Sequence, residues 1–467
     1  MPLHPERFLL LIIPWILSVL FSAIPVVSYL IAWSGTFFIF YVTIKGNIRA
    51  IPNDLKFSEQ LMRPLFLPHI IFAGYMCSTS IFYFLTVFGY NNFQSPPPNY
   101  LVDLNHLENV AQCQRYYSLA HAAFVAGVLS HMNYTEKPKY YLNIKDTASF
   151  LLLSAVVMLP FANLFLIIPG LRQFFFQFQS LSFIAGTLAF AFAIPLQKPG
   201  NTILSGILFF TNVSQALLSG FKEPIIISFL ILGVFLYPFY KKLVLITFLP
   251  MLFVLFILLP TYARVFRENA WSGNESSETA SDIAIDAVLN QSDEEADQSN
   301  WGFLTNRLSE IGMFTIYTKS TPSRIDYYGF ELVEQAAVVI IPRAFWPGKP
   351  IPEEMVMERV YNAGVINRGS IVSAKPPIVV DAYLSGGYIG ILLTLFVYGS
   401  IMQLISIKAE KLFGGYIIGT AFIYSGLFQI FWRGNSFEFL INSVMWSFIS
   451  MMIIFHALKH YNIIKRI

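Results

Sequence analysis

Charge is what this sequence has least of. Only 12% of its 467 residues are Asp, Glu, Lys or Arg, against roughly 25% in a soluble domain, so most of its surface faces something other than water. Cysteine is almost absent: Cys77 and Cys113 form no CxxC and no metal-binding spacing, and both read as packing residues. Several catalytic signatures are missing as well. There is no Walker loop, no HExxH, no strand-associated GxGxxG and no GxSxG elbow. No DxD occurs, which argues against a metal-bound nucleotide-sugar donor. None of the seven histidines clusters with Cys, Asp or Glu at ligand spacing, and His69 and His121 read as packed polar residues. No metal, no cofactor and no nucleic-acid partner is expected.

What is present is apolar. Hydrophobic residues make up 55% of the chain, Phe alone occurs 46 times, and the mean hydropathy is +0.59. A run of ~20 apolar residues spans a bilayer core, where only a self-bonded backbone such as a helix is tolerated. Candidate spans are Phe8–Ser22, Ile24–Ile44, Leu65–Tyr90, Tyr116–Met132, Ser149–Pro169, Leu181–Pro195, Thr202–Ser219, Ile225–Tyr240, Leu243–Thr261, Tyr383–Leu404, Tyr416–Trp432 and Phe437–Phe455. The expected fold is therefore an all-α polytopic membrane protein, with about twelve transmembrane helices and one large extracytoplasmic loop. Residues 8–44 read either as a hairpin broken near Pro25 or as one long tilted helix. The run after Arg7 is too long for a cleavable signal.

Basic residues fall on one side of this map. Lys45, Arg49, Lys56, Arg63, Lys137, Lys139, Lys145, Lys198, Lys241, Lys242, Lys408, Lys411, Lys459, Lys465 and Arg466 share it. The short loops opposite hold only Arg115, Arg172, Lys222 and Arg433. Cytoplasmic loops carry the Lys/Arg excess, so the C-terminus is expected in the cytoplasm. The organisation is then spans 1–9 over residues 1–261, an extracytoplasmic loop over 262–380, and spans 10–12 with a cytoplasmic tail over 381–467.

Within the loop, residues 268–300 are acidic without a basic residue, and read as a flexible solvated insert. Ile325–Ile341 reads as an amphipathic helix along the outer interface, ending in Ile341-Pro-Arg-Ala-Phe-Trp-Pro-Gly-Lys-Pro350. The cations of the outer side are the informative residues, because charge at a membrane edge needs a partner, a headgroup or a task. Arg172, Lys222, Arg343, Lys349 and Arg433 would suit an anionic head at that depth, Arg giving bidentate contact to phosphate oxygens. Tyr327, Tyr328, Phe330, Phe345, Trp346 and Tyr361 lie among them, as sugar-facing rings or as ordinary interface aromatics.

Tyr328-Gly-Phe-Glu331, the Pro-Arg-x-x-Trp-Pro-x-Lys-Pro run, Val380-Asp-Ala-Tyr-Leu-Ser-Gly-Gly-Tyr-Ile-Gly390 and Arg433-Gly-Asn-Ser436 together resemble the O-antigen polymerases, the Wzy-like oligosaccharide repeat-unit polymerases. The likeness covers the carboxy-terminal third; the amino-terminal half matches in hydropathy and helix count. Family members often carry Arg where this chain has Lys222, and Glu where it has Asp381. The resemblance implies a GT-C-like, metal-independent glycosyltransferase in the bacterial cytoplasmic (inner) membrane. Its substrate would be an undecaprenyl-diphosphate-linked oligosaccharide, moved onto a new lipid-linked unit, with a chain-length regulator and a flippase as partners. Arg343, Arg433 and Arg172 would contact the diphosphate, and Asp381 or Glu334 the acceptor hydroxyl. Lys222, Lys349, Trp346, Tyr328 and Tyr383 complete the expected substrate contacts. Two other activities stay open: a ligase using the same lipid carrier, and a polysaccharide flippase or transporter, which should show repeated halves.

Overall fold

The computed structural model describes residues 4–134, 138–168, 170–273, 275–369 and 373–467, and of Asp293, Glu294 and Arg433 it describes the backbone alone. Lys137, Pro169 and the Arg433 side chain thus lie outside the described residues.

Each expected apolar stretch is helical. The bundle opens with α1 (Leu9–Leu20), α2 (Pro25–Ile44), α3 (Leu67–Val87) and α4 (Leu104–His131). It continues with α5 (Thr147–Ile167), α6 (Gln173–Ala193), α7 (Pro199–Leu217), α8 (Lys222–Leu236) and α9 (Lys241–Ala270). Next come α10 (Ser277–Asn290), α11 (Asp293–Phe303), α12 (Ile311–Ser320), α13 (Glu331–Ile340) and α14 (Pro352–Ala363). The chain returns to the bundle in α15 (Ile378–Leu412), α16 (Ile417–Leu427) and α17 (Phe437–His460). Among the described residues, seven helices are long and apolar enough to cross a membrane: α2, α3, α5, α6, α9, α15 and α17. The windows of α5 and α9 are the most apolar and the least buried. Apolar side chains turned outward in this way suit a hydrocarbon solvent.

Residues 8–44 form a hairpin. Pro25 starts α2 because its ring cannot continue the preceding helix, Ser28 Oγ donates to Ser18 O at 2.7 Å, and Gly35 packs against Pro14. Helix α4 begins at Leu104, a dozen residues before the expected span, because Asp103 caps it through the Asn105 and His106 amides. Its polar first half is hidden inside the protein: Asn109 Nδ2 donates to Thr315 O at 2.9 Å, and Thr318 Oγ1 donates to Asn109 Oδ1 at 2.7 Å. Helices α4 and α15 cross where Gly127 meets the Phe396 backbone and Gly399 meets the Phe124 backbone, an approach any Cβ would block. Residues 72–78 of α3 are π-helical, and Gln114 Nε2 and Trp33 Nε1 bond the Cys77 and Ser78 carbonyls there. His69 and His121 join α3 to α4, Nε2 to Nε2 at 2.7 Å, among Phe40, Phe72 and Phe124.

The bundle has two distinguishable ends. At one, β1 (Tyr140–Leu142) pairs antiparallel with β2 (Ile464–Arg466), Arg49 bonds Ser130 O, Lys198 pairs with Asp146 and Arg63 pairs with Glu410. Arg49, Arg63, Lys198, Lys465 and Arg466 of the basic set lie at this sheet end. The other, the loop end, carries α10 to α14. Two features there differ from expectation. Among the described residues of 268–300, α9 continues to Ala270, and α10 and α11 are helices capped by Ser276 and Ser292. Their order comes from a small-residue face, since Ala280 and Ala284 pack on Tyr262 and Phe266, and Tyr262 OH meets Ser281 Oγ at 2.9 Å. Helix α13 starts at Glu331 rather than Ile325, because Gly329 takes φ 58 and breaks the helical path.

Candidate functional site

Helix α13 buries Leu332, Ala336 and Val339, an i, i+4, i+7 stripe. That stripe lies toward α17, where Trp446 Nε1 donates to Ile340 O at 2.8 Å. Glu334 stays on its exposed face. The run after α13 folds back, and Lys349 Nζ donates to Val339 O at 2.8 Å and Ile341 O at 2.6 Å. Lys349 therefore caps the helix C-terminus with a cation, where the peptide dipoles favour one. Burial, then the charge of neighbouring Arg343, lowers its pKa. Arg343 reaches the Pro347 and Pro350 carbonyls only at 3.4 Å each, too long to hold it firmly, so its fork is available. Phe345 and Trp346 beside it are exposed.

Gly170 joins this run to the α5–α6 turn. It has φ +81, and a Cβ there would strike the Ala344 backbone. The turn carrying exposed Arg172 thus lies against the stretch carrying Arg343. Arg433 ends the one-turn helix Ile430–Arg433, and the next residue's carbonyl, Gly434 O, accepts Ile378 N at 2.6 Å. Its backbone is at the loop end beside the start of α15.

Asp381, to which the family resemblance attaches an acceptor-facing role, is held in an ion pair. It is sealed beneath the surface, accepting from Arg359 Nε at 3.0 Å, Arg359 Nη2 at 2.9 Å and Phe437 N at 2.9 Å. Arg359 also grips Glu438 at 2.7 and 2.8 Å. Burial works against the Arg359 charge, yet the two carboxylates outweigh it and hold the guanidinium above its ordinary pKa. Tyr383 is buried too, its hydroxyl donating to Thr321 O at 2.7 Å. Tyr328 is half-buried, and its amide donates to Leu384 O at 2.9 Å. These residues fasten the loop onto α15, which kinks at Gly387 (φ 61, ψ −140), a conformation only glycine takes readily.

A profile described as "Domain of unknown function (DUF8712)" matches residues 13–466. The chain belongs to the DUF8712 family. No curated protein and no solved structure matches it. The DUF8712 match runs through bundle and loop alike.

A second charged group lies at the loop end. Lys222 Nζ stands over the Phe303 ring at 3.4 Å, a cation–π contact, and feels the charges of Arg267 and Arg307. Arg267 donates to Gly220 O at 3.1 Å and stacks on Trp271 and Phe221. Glu310 follows, under the charge of Arg307. Nothing in the sequence pattern singles out Arg359, Arg307 or Glu310; each becomes notable only through partners distant in the chain. Among the described residues, no three His, Cys, Asp or Glu side chains gather as a metal site requires.

Proposed function

We propose that this chain is a polytopic glycosyltransferase of the repeat-unit polymerase kind. It would span the bacterial cytoplasmic membrane about twelve times, with the sheet end in the cytoplasm and the loop end outside. The sheet end as the cytoplasmic side follows from its basic residues. The lipid-linked oligosaccharide would present its diphosphate at the loop end while its tail stays in the bilayer.

The observation that carries this reading is the seat of Arg172 and Arg343 on touching backbone segments, through the approach of Gly170 to Ala344. Two guanidiniums on adjacent turns, one with a loosely held fork, suit the oxygens of one diphosphate. As the anomeric carbon–oxygen bond breaks, negative charge grows on that diphosphate, and donors fixed there stabilise the transition state more than the ground state. Exposed Phe345 and Trp346 beside Arg343 offer faces for sugar rings.

Lys keeps the charge of these positions but not the fork. Arg343→Lys and Arg172→Lys should each lower glycan elongation at least about tenfold, which corresponds to roughly 1.4 kcal/mol. Arg433→Lys should do the same. The readout is glycan chain length on a gel beside a membrane blot, with the single lipid-linked unit accumulating at normal protein abundance. Normal-length polymer from all three variants would overturn the reading in favour of a transporter.

A further inference from the structure

The segment from α11 to α12 re-enters the bundle, and Glu310 is at its tip. Trp301 starts the descent against Phe82 and Phe93, at ring distances of 6.2 and 4.9 Å. Below it, residues 304–308 form a π-helical turn. Tyr75 OH donates to Arg307 O at 2.9 Å, and Tyr117 OH donates to Ser309 O at 2.6 Å. Helix α12 then climbs back, since Thr315 and Thr318 bond Asn109. Thr315 lies five residues after Glu310 on α12, so the tip sits at most about 8 Å deeper than Thr315 at ~1.5 Å per residue.

Glu310 itself has φ 52 and ψ 21, left-handed without being glycine. A non-glycine residue adopts this conformation at a cost, and the surroundings must hold it there. Those surroundings are specific. Arg307 acts on the carboxylate from its own segment, and Tyr75 of α3, Tyr117 of α4 and Tyr317 of α12 all feel its charge. Lys222 and Glu223 approach from α8, their charges reaching Arg307 and Tyr75 respectively. A second observation is independent of the backbone. The Tyr317 hydroxyl is fully buried and has no hydrogen-bond partner among the described residues. It lies seven residues after Glu310 on α12, feels the Glu310 charge, and feels Asp381 and Arg359 as well. A buried hydroxyl left open in native protein usually meets water or a ligand.

We propose that Glu310 is the proton-accepting carboxylate of this membrane protein, acting on a sugar hydroxyl delivered to the re-entrant tip. The proposal rests on the glycosyl-transfer reading above. In the step, the acceptor oxygen forms a bond to the anomeric carbon and gives its proton to the Glu310 carboxylate. The anomeric carbon–oxygen bond to the diphosphate breaks, and its electron pair leaves on the lipid diphosphate. Glu310 then releases the proton to water, and nothing is oxidised or reduced. Burial raises the Glu310 pKa to about 7, with Arg307 drawing it partly back. A base with that pKa gains its ionised form as pH rises through about 7, so the rate should rise over the same interval.

The test uses the full chain in cells from which the chromosomal copy has been removed, with polysaccharide chain length as readout. Glu310→Gln should lower elongation by at least about a hundredfold, with the single lipid-linked unit accumulating. Glu310→Asn is the control for folding, because Asn tolerates the left-handed backbone, and it should fall as far at normal abundance. Glu310→Asp should restore part of the activity. In spheroplasts, where the medium sets the outer pH, wild-type elongation should climb through about pH 7, and the residual rate of Glu310→Gln should be flat. Full elongation by Glu310→Gln and Glu310→Asn, with Arg343→Lys impaired, overturns the proton-acceptor role and leaves the glycosyl-transfer reading in place. Full elongation by all of these variants overturns both.

Discussion

Two buried arginines, one at each end of the bundle, do the same thing in different settings. Arg359 at the loop end holds Asp381 and Glu438, and Arg63 at the sheet end holds Asp54 and Glu410. Both clamps act on α15, which carries Asp381 in its first turn and Glu410 near its last. Helix α15 breaks at Gly386 and Gly387, where Ala382 O comes against Gly390, so the path from there to Glu410 is about 30 Å at ~1.5 Å per residue, and the helix is pinned at both edges of a membrane-sized span. The loop-end clamp is sealed, with side-chain exposures of 2%, 0% and 0%. Its carboxylates sit in the first turns of α15 and α17, where helix dipoles favour anions. The sheet-end clamp is open on one side: Arg63 is 1% exposed, Glu410 11% and Asp54 37%. It lies under a cavity of about 590 Å³, with Tyr134 stacked on the guanidinium at 3.7 Å. Glu410 is at the wrong end of its helix for an anion, so it depends on Arg63 and on a 2.8 Å bond from Thr420 Oγ1. An ion pair without water is fragile to the loss of one member, whereas a pair beside water is cushioned.

The largest effect should come from the sealed clamp. Arg359→Met leaves two carboxylates buried without a counter-charge, which costs ~3–5 kcal/mol. The protein should largely disappear from the membrane on a blot, and what remains should melt markedly lower. Replacing the whole group, Arg359→Met with Asp381→Leu and Glu438→Leu, should recover much of that loss, since apolar side chains need no partner there. A triple variant no better than the single one would mean that the charges stabilise beyond pairing.

At the sheet end, Arg63→Met should cost less, roughly 1–3 kcal/mol, because Asp54 keeps its water and the cavity admits more to Glu410. The measurement is the melting temperature in nanodiscs, compared directly with Arg359→Met. Equal losses would erase the distinction between sealed and open clamps. Burial opposes the Arg63 charge, but Asp54 and Glu410 outweigh it and keep the group above its ordinary pKa.

Neither clamp is legible in the sequence, while the helices around them are. A run of ~20 apolar residues has one structural solution in a bilayer, so the stretches that become α2, α3, α5, α6, α9, α15 and α17 announce themselves. Arg359 sits in Met-Glu-Arg-Val and looks like any solvated helix charge; its partners are 22 and 79 residues away. Arg63 meets Glu410 across 347 residues, a pairing that only tertiary packing creates. Glu310 has no motif around it, and the contacts beside it, from Tyr75 of α3 to Arg307 O and from Tyr117 of α4 to Ser309 O, come from distant parts of the chain. The acidic insert is a case where a signal was present: Ser292 and Glu295 form a reciprocal capping box, and Ala280 and Ala284 are spaced for one helix face. Net charge outweighs such local signals in a composition-based reading. Lys349 is legible as part of a motif, but its task of capping α13 is not.

The smallest effect should come from a pair more open than either clamp. Asp146 accepts Lys198 Nζ at 2.7 Å and also caps α5, taking the Ser149 amide at 2.8 Å. The lysine side chain is 37% exposed, so the ion pair contributes ~0–1 kcal/mol, whereas an aspartate cap contributes ~0.5–2 kcal/mol over alanine. Asn caps nearly as well as Asp, so Asp146→Asn removes the pair and keeps the cap, and Asp146→Ala removes both. The Asn variant should melt within about a degree or two of the parent, since roughly 1 kcal/mol moves a protein of 150–250 residues by only ~2–4 °C and this chain is longer. The Ala variant should melt lower than the Asn variant. Acid separates the pair from the cap again. The bond from Lys198, and after it that from the Ser149 amide, lowers the Asp146 pKa to about 2. Its contribution is therefore complete above the usual aspartate range near pH 4 and fades as pH falls through about 2. Between those values the parent should lose part of its advantage over Asp146→Asn. An advantage unchanged down to pH 2 would show that the parent's margin over Asp146→Asn does not come from the Asp146 charge.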